Sequence, residues 1–229
     1  MKDKMPNNKY RFNKVDDDFY SFLTEGVPLV GDAEIPMMMD LNNTFVPRGL
    51  VAYEKIDSDL DYRKHVHFYI YDSRFKYLIA NIKSDIKKFR LRDGVITPDY
   101  SLISNRSISI LHMQTFFSRA VGCYLQKNGI PVIPNVRWCD ERTYDFCFLG
   151  IPEGTIVSIS TLGCIKTKLE KEYFVKGLSE MLIRLQPTDV VVYGSNSDCL
   201  FERFQDKTKF HFYESLIEEA HSKDGLNGN

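Results

Sequence analysis

The sequence lacks most of the short motifs that announce a known chemistry. It contains no G-x-G-x-x-G, no P-loop, no G-x-S-x-G and no H-E-x-x-H, so standard dinucleotide, kinase-like, serine-hydrolase and zinc-protease readings have no support. Its cysteines, Cys123, Cys139, Cys147, Cys164 and Cys199, include no C-x-x-C pair. An odd set at wide spacing reads as reduced thiols and not as a disulfide framework. No apolar run approaches the roughly 18 to 20 residues of a membrane span, and the N-terminus lacks the basic, apolar, small-residue order of a signal peptide. The expected setting is therefore the cytoplasm, with no membrane partner.

A dominant charge is also missing. The 30 basic and 31 acidic residues nearly cancel, which removes the footprint of a protein that holds nucleic acid mainly through its phosphates. Net charge thus gives a nucleic-acid partner no support. It leaves open a local basic groove at Lys83, Lys87, Lys88, Arg90 and Arg92, whose spacing equally suits the solvated face of a helix.

What is present is ample apolar material: 43% of the 229 residues are hydrophobic and 13% aromatic, enough for one large core. We expect an irregular arm over 1–26 that packs only through residues such as Tyr20 and Phe22, a single α/β domain over 27–221, and a disordered tail over 222–229. Ile35 to Met39 and Leu50 to Tyr53 read as short buried strands, and Asp57 to Arg63 as a helical turn. Val66 to Tyr71 reads as the first clear strand. Phe75, Leu78, Ile79, Ile82, Ile86 and Phe89 then recur at three and four residues, the mark of an amphipathic helix, which Gly94 stops. Val95 and Ile96 start a strand running toward Asp99, and Leu111 to Leu125 outlines a helix with Gly129 beyond its end. Pro131 to Trp138 reads as a strand, with Tyr144 to Phe148 pairing beside it. Thr155 to Ser160, a helix through Phe174, Leu178, Met181, Leu182 and Leu185, and a last strand at Val190 to Tyr193 complete the pattern.

Strands alternating with helices imply parallel neighbours joined by right-handed crossovers. The fold class is α/β, with a mainly parallel sheet of strand–helix repeats. Counting the early runs gives seven or eight strands, hence a (βα) barrel or an incomplete barrel; an open doubly wound sheet is the alternative.

Several segments carry a family resemblance: His65-Val66-His67-Phe68-Tyr69 with Asp72 and Phe75; Pro98 to Leu102; Gly129 through Gly150; and Val157 to Gly163, followed by Gly177, Glu180, Met181 and Val192-Tyr193-Gly194. The most specific block is Val132-Ile133-Pro134-Asn135-Val136-Arg137-Trp138. These resemble the DUF4417 family of bacterial, plasmid and phage proteins, between residues 45 and 195. At Phe117, Ala120 and Leu125 the chain departs from the Arg or Trp that similar proteins carry. The resemblance implies a mobile-element setting and no particular activity, leaving replication, host takeover and counter-defence open.

Candidate site residues follow from one rule: parallel α/β folds bind ligands where strand C-termini carry their loops. Asp72, Asp99 and Glu141 are the candidate catalytic carboxylates, suited to acid/base work or to a hard cation such as Mg²⁺. Helix capping is the rival role for Asp72 and Asp99. Asn135, Arg137 and Trp138 are candidate binding residues, Arg for a phosphate or carboxylate and Trp for a ring; a salt bridge from Arg137 to Asp140 or Glu141 is the alternative. Ser160, Thr161 and Gly163, with Tyr193, Gly194 and Ser195, lie in loops of the kind that cradle phosphate with backbone N–H groups, and Lys166 adds charge. His65 and His67 share one strand face like a metal pair, but sit at the strand start, which favours a structural role.

Two functions remain. One is an enzyme acting on a phosphorylated or nucleotide-like small molecule. The other is a non-catalytic protein that binds a host macromolecule or sequesters a ligand.

Overall fold

A computed structural model describes residues 20–40, 43–195 and 200–215. The expectations placed on 1–19, 196–199 and 216–229 lie outside the described residues. Leu29–Val30 (β1) and Ile35–Pro36 (β2) pair antiparallel, so the early run at Ile35 belongs to a small hairpin and not to the parallel sheet. The main strands are Leu50–Ala52 (β3), His65–His67 (β4), Gly94–Ile96 (β5), Val132–Ile133 (β6), Val157–Ser160 (β7), Asp189–Tyr193 (β8) and Lys209–Tyr213 (β9). They form two sheets, β3-β4-β5-β6 and β7-β8-β9, and every pairing within both is parallel. No closed barrel is formed among the described residues. Among the described residues the sheets meet at a parallel bridge, Asn135 to Ser158.

The long helices among the described residues are Leu78–Phe89 (α1), Ile108–Lys127 (α2) and Lys168–Leu185 (α3). In α1, Leu78, Ile82, Ile86 and Phe89 are buried, the face that three-and-four spacing presents to a sheet. α2 closes with Gly129 at φ +76°. There the Gly129 N–H reaches the Gln126 carbonyl and the Ile130 N–H that of Leu125, the paired bonds that satisfy orphan carbonyls at a glycine stop. α3 opens on a capping box between Thr167 and Glu170, which satisfies two orphan N–H groups at once.

Alternation along the strands sorts the core. Val66, Val95 and Val132 pack with Ile82, Phe89 and Leu125 of α1 and α2, while Val157, Ile159, Val190 and Val192 pack with Leu178 and Met181 of α3. The opposite strand faces supply a third cluster of Tyr69, Ile96, Ile133, Val191 and Tyr193, with Leu50 and Tyr213 against it. No helical residue belongs to that cluster.

The structure corrects several sequence expectations. Tyr144 to Phe148 forms turns, not a strand; its aromatics fill the core instead. The helical turn foreseen at Asp57 to Arg63 is a 3-10 turn at Tyr53–Lys55. The strand at Pro131 to Trp138 is regular only over Val132–Ile133. β9 was not foreseen, although Lys209-Phe-His-Phe-Tyr213 has the aromatic content of a strand. Of the arm, the described part places Tyr20 and Phe22 in edge contact with Phe117 and Tyr124 of α2, and Leu23 is buried as well.

Candidate functional site

Because β4 to β8 run parallel, their C-terminal ends open on one side, and there lies a cavity of about 620 Å³. Of the residues named from the sequence, Asp99, Arg137, Trp138, Ser160, Gly163, Lys166 and Tyr193 line it. Tyr69 forms part of its wall and stacks on Tyr193, with ring centroids 4.9 Å apart.

Below the cavity is a buried polar network. The Asn135 side-chain amide donates to Asp99 Oδ1 at 2.8 Å, and its carbonyl oxygen accepts from the Tyr69 hydroxyl at 3.0 Å. That hydroxyl is also 2.6 Å from Ser158 Oγ. Asn135 is held in place by its own N–H, which donates to Thr97 Oγ1 at 2.8 Å. Asp99 Oδ2 faces Arg137 Nη1 at 3.5 Å. Arg137 Nε and Nη1 are shielded from solvent and make no hydrogen bond; Nη1 has only the long ion-pair contact to Asp99, and Nε has no acceptor among the described residues. Burial pushes the Asp99 carboxyl above the usual carboxylate range, against the pull of Arg137 and Asn135. The Arg137 guanidinium stays charged: burial opposes this, and the Asp99 carboxylate beside it favours it.

Asp72 lies one hydrogen bond away from the cavity. Its carboxylate accepts the Ser101 hydroxyl at 2.9 Å and the Ser101 N–H at 3.2 Å, and Ser101 lines the cavity. Neither Asp72 nor Asp99 caps a long helix, since the residues preceding α1 and α2 are Tyr77 and Ser107. Glu141 stands outside the cavity lining; it is exposed and paired with Lys176 at 3.1 Å. The rim salt bridges considered for Arg137 are absent, because Asp140 pairs with Arg142.

The late loops are held mainly by their own hydrogen bonds. Ser160 Oγ donates to the Tyr193 carbonyl at 3.0 Å and accepts the Leu162 N–H at 3.1 Å. Thr161 Oγ1 donates to the Ser195 carbonyl at 3.3 Å. Gly194 has φ +109°, and a Cβ there would lie 2.5 Å from Thr161 Oγ1; glycine is required for the loops to close together. Thr161, Gly194 and Ser195 thus support the wall from behind. Gly163, at φ +71°, has open space beside it on the cavity side.

Trp138 is 7% exposed and packs on Phe174 and Phe148 at 5.5 and 6.2 Å. Its close fit explains Gly177, where a Cβ would come within 2.1 Å of the indole nitrogen. His67 Nδ1 accepts the Tyr69 N–H at 3.1 Å, and its ring lies 4.5 Å from that of Tyr193. His65 is fully buried with both ring nitrogens unpartnered. Among the described residues no three His, Cys, Asp or Glu side chains gather as a metal site. The four described cysteines are free thiols, and Cys139 and Cys164 line the cavity.

Sequence reasoning missed Arg119. This fully buried residue of α2 donates to the carbonyls of Asn135, Cys147 and Leu149 at 2.8, 2.9 and 3.1 Å, clasping the turns at 144–150 to the extended segment after β6 that carries Asn135 and Arg137. Burial pulls its guanidinium down to about 10. Nothing in its local sequence distinguishes it from a surface arginine.

Fold and site together define an α/β protein of parallel sheets with a ligand-sized cavity where its strands end. A family model described as a domain of unknown function, DUF4417, matches residues 27–214, and the chain belongs to that family. It is 35% identical over 171 residues to the "Gene 1 protein" of Mycobacterium phage L5, covering 72% of this chain and 73% of that one. It is 32% identical over 160 residues to the "Gene 1 protein" of Mycobacterium phage D29, covering 68% of this chain and 59% of the relative. No solved structure matches. No described helix is long and apolar enough to cross a membrane.

Proposed function

We propose that this protein binds a small phosphorylated or nucleotide-like molecule in the cavity and acts on it as an enzyme, with Arg137 holding the anionic group and Asp99 handling a proton. The observation that carries this is Arg137, a cation with two unbonded, solvent-shielded donors in the wall of a ligand-sized cavity. Unsatisfied buried N–H groups are costly, and a phosphate oxygen is the acceptor that a guanidinium fork fits best. Lys166 and the open Gly163 lie along the same wall, and Trp138, Tyr173 and Phe174 offer aromatic surface for a ring. Of the three carboxylates expected from the sequence, Asp99 is the reacting group, Asp72 supports the loop that carries it, and Glu141 takes no part.

We read the seven parallel strands as one incomplete barrel, β3 to β9 in order. Supporting this are the bridge between the sheets, the helix-free third cluster that draws on both, and the bond from the Tyr213 hydroxyl to the Pro47 carbonyl across the open side. A doubly wound sheet would carry helices on both faces.

The test is a thermal-shift and calorimetric panel of nucleotides, sugar phosphates and inorganic sulfate, with and without Mg²⁺. A ligand that binds the native state raises its melting point. Wild type should respond to at least one phosphorylated compound, and Arg137→Gln should not. Silence of wild type across the panel refutes the reading. Binding without turnover would favour the sequestering protein instead.

A further inference from the structure

We propose that an anion entering the cavity takes Arg137 from Asp99, and that Asp99 picks up a proton as it does so and meets the ligand as a proton donor. The inference rests on the anion-binding reading of the cavity given above, and it decides a role which that reading leaves open, acid against base.

The geometry is asymmetric about the carboxylate. Oδ1 is fixed by the Asn135 amide at 2.8 Å, and Asn135 is itself pinned through Thr97 and Tyr69. Among the described residues Oδ2 has only the guanidinium, at 3.5 Å, longer than a good charge-assisted hydrogen bond. One side of Asp99 is therefore anchored while the other is loosely held. Arg137 is the group that an incoming phosphate or sulfate would claim, since its Nε and Nη1 carry no hydrogen bond.

Among the described residues the titratable groups that act on Asp99 are Arg137, Asp72, Tyr69 and Cys164; Lys166 and Arg74 line the cavity without acting on it. Of the four, only Arg137 is a cation. Asp72 is a like charge, and the Tyr69 hydroxyl and Cys164 thiol are neutral, burial having raised both. An anion on Arg137 thus cancels the one favourable charge and adds an unfavourable one. In a wall with little solvent, a carboxylate in that position is relieved by protonation. Burial already inclines Asp99 that way. The proton comes from solvent, resides on Oδ2 and points away from the anchored Oδ1.

Sulfate is the probe, because it stays dianionic between pH 5 and 8 and adds no proton of its own. Calorimetry of sulfate binding in two buffers of unlike ionisation enthalpy reads the protons taken up. Wild type should take up a fraction approaching one proton per sulfate near neutral pH, and its affinity should rise as pH falls, by at most about tenfold per unit. Asp99→Asn keeps an acceptor for Asn135 and cannot titrate. It should bind sulfate with no proton uptake and no pH dependence, at least as tightly as wild type at pH 8. Asp99→Ser serves if the first variant does not fold. Sulfate binding to wild type without proton uptake, or uptake that survives in the variants, overturns the proposal and leaves the anion site standing. Failure of sulfate and of every phosphorylated compound to bind wild type overturns both.

Discussion

Ser101 gives both its hydroxyl and its backbone N–H to the carboxylate of Asp72, at 2.9 and 3.2 Å, and so ties the loop after β5 to the 3-10 turn Asp72–Arg74 that follows β4. Asp99 rides on that loop. Asp72→Ala should cost about 1 to 3 kcal/mol, the price of losing two charge-assisted bonds in a half-buried place. Asp72→Asn should cost less, since its carbonyl oxygen still accepts. Urea denaturation of the two variants checks the order; equal stability of Asp72→Ala and wild type would remove this tie.

Glu141 supplies the contrast. Its ion pair with Lys176 is exposed on both sides, and exposed pairs contribute little. Glu141→Ala should leave folding stability within about 0.5 kcal/mol of wild type, and should leave anion binding unchanged in the same calorimetric assay that reads Arg137→Gln. A large loss of binding would return Glu141 to the site.

Gly177→Ala should destabilise the protein by roughly 1 to 3 kcal/mol, because the added methyl group meets the Trp138 indole and the core must shift to admit it. Trp138 is the only tryptophan, so intrinsic fluorescence reports directly on its surroundings. The variant should emit further to the red than wild type. An unchanged spectrum with unchanged stability would mean that the helix–indole approach is looser than described.

Arg119→Lys should cost about 2 to 5 kcal/mol, since one ammonium cannot serve the carbonyls of Asn135, Cys147 and Leu149 together and leaves buried acceptors unpaired. Chemical denaturation measures the cost. A near-neutral substitution would show that water serves those carbonyls as well as the guanidinium does.

His65 and His67 predict a loss of stability in acid. Burial lowers His65 to about 4, with Asp93 opposing, and lowers His67 to about 3, against the ordinary 6.5 of an unfolded chain. The unfolded state therefore binds more protons below about pH 6.5. The stabilisation is fully present above that pH and drains away as pH falls toward the folded values, by up to about 1.4 kcal/mol per unit for each ring. Thermal melts from pH 7.5 to 5 should fall, and the fall should be shallower for His65→Leu. Equal slopes would mean that the ring is not held neutral in the fold.

Much of this was legible in the sequence. Short β-branched runs at Val66, Val132, Val157 and Val190 gave parallel strands because strands covered on both faces are apolar throughout. The rule that loops at strand C-termini gather ligands brought Asp99, Arg137, Trp138, Ser160, Gly163 and Tyr193 to one cavity. The capping box at Thr167 and Glu170 and the aromatic run of β9 are also sequence signals, of a helix start and of a strand.

What one-dimensional spacing determines is periodicity, and periodicity settles which residues face a sheet, where helices stop and which strand ends share a side. Which of two neighbouring polar groups turns inward depends on partners far along the chain. Asp99 meets Arg137 while Asp72 meets Ser101, and Glu141 turns out to Lys176, though all three carboxylates follow or approach strand ends. Arg119 is buried because the carbonyls of Asn135, Cys147 and Leu149, from two segments distant from it in sequence, converge on it. Those pairings arise from long-range packing, where the cost of leaving a buried charge or carbonyl unmatched selects the partner, and only the tertiary structure decides them.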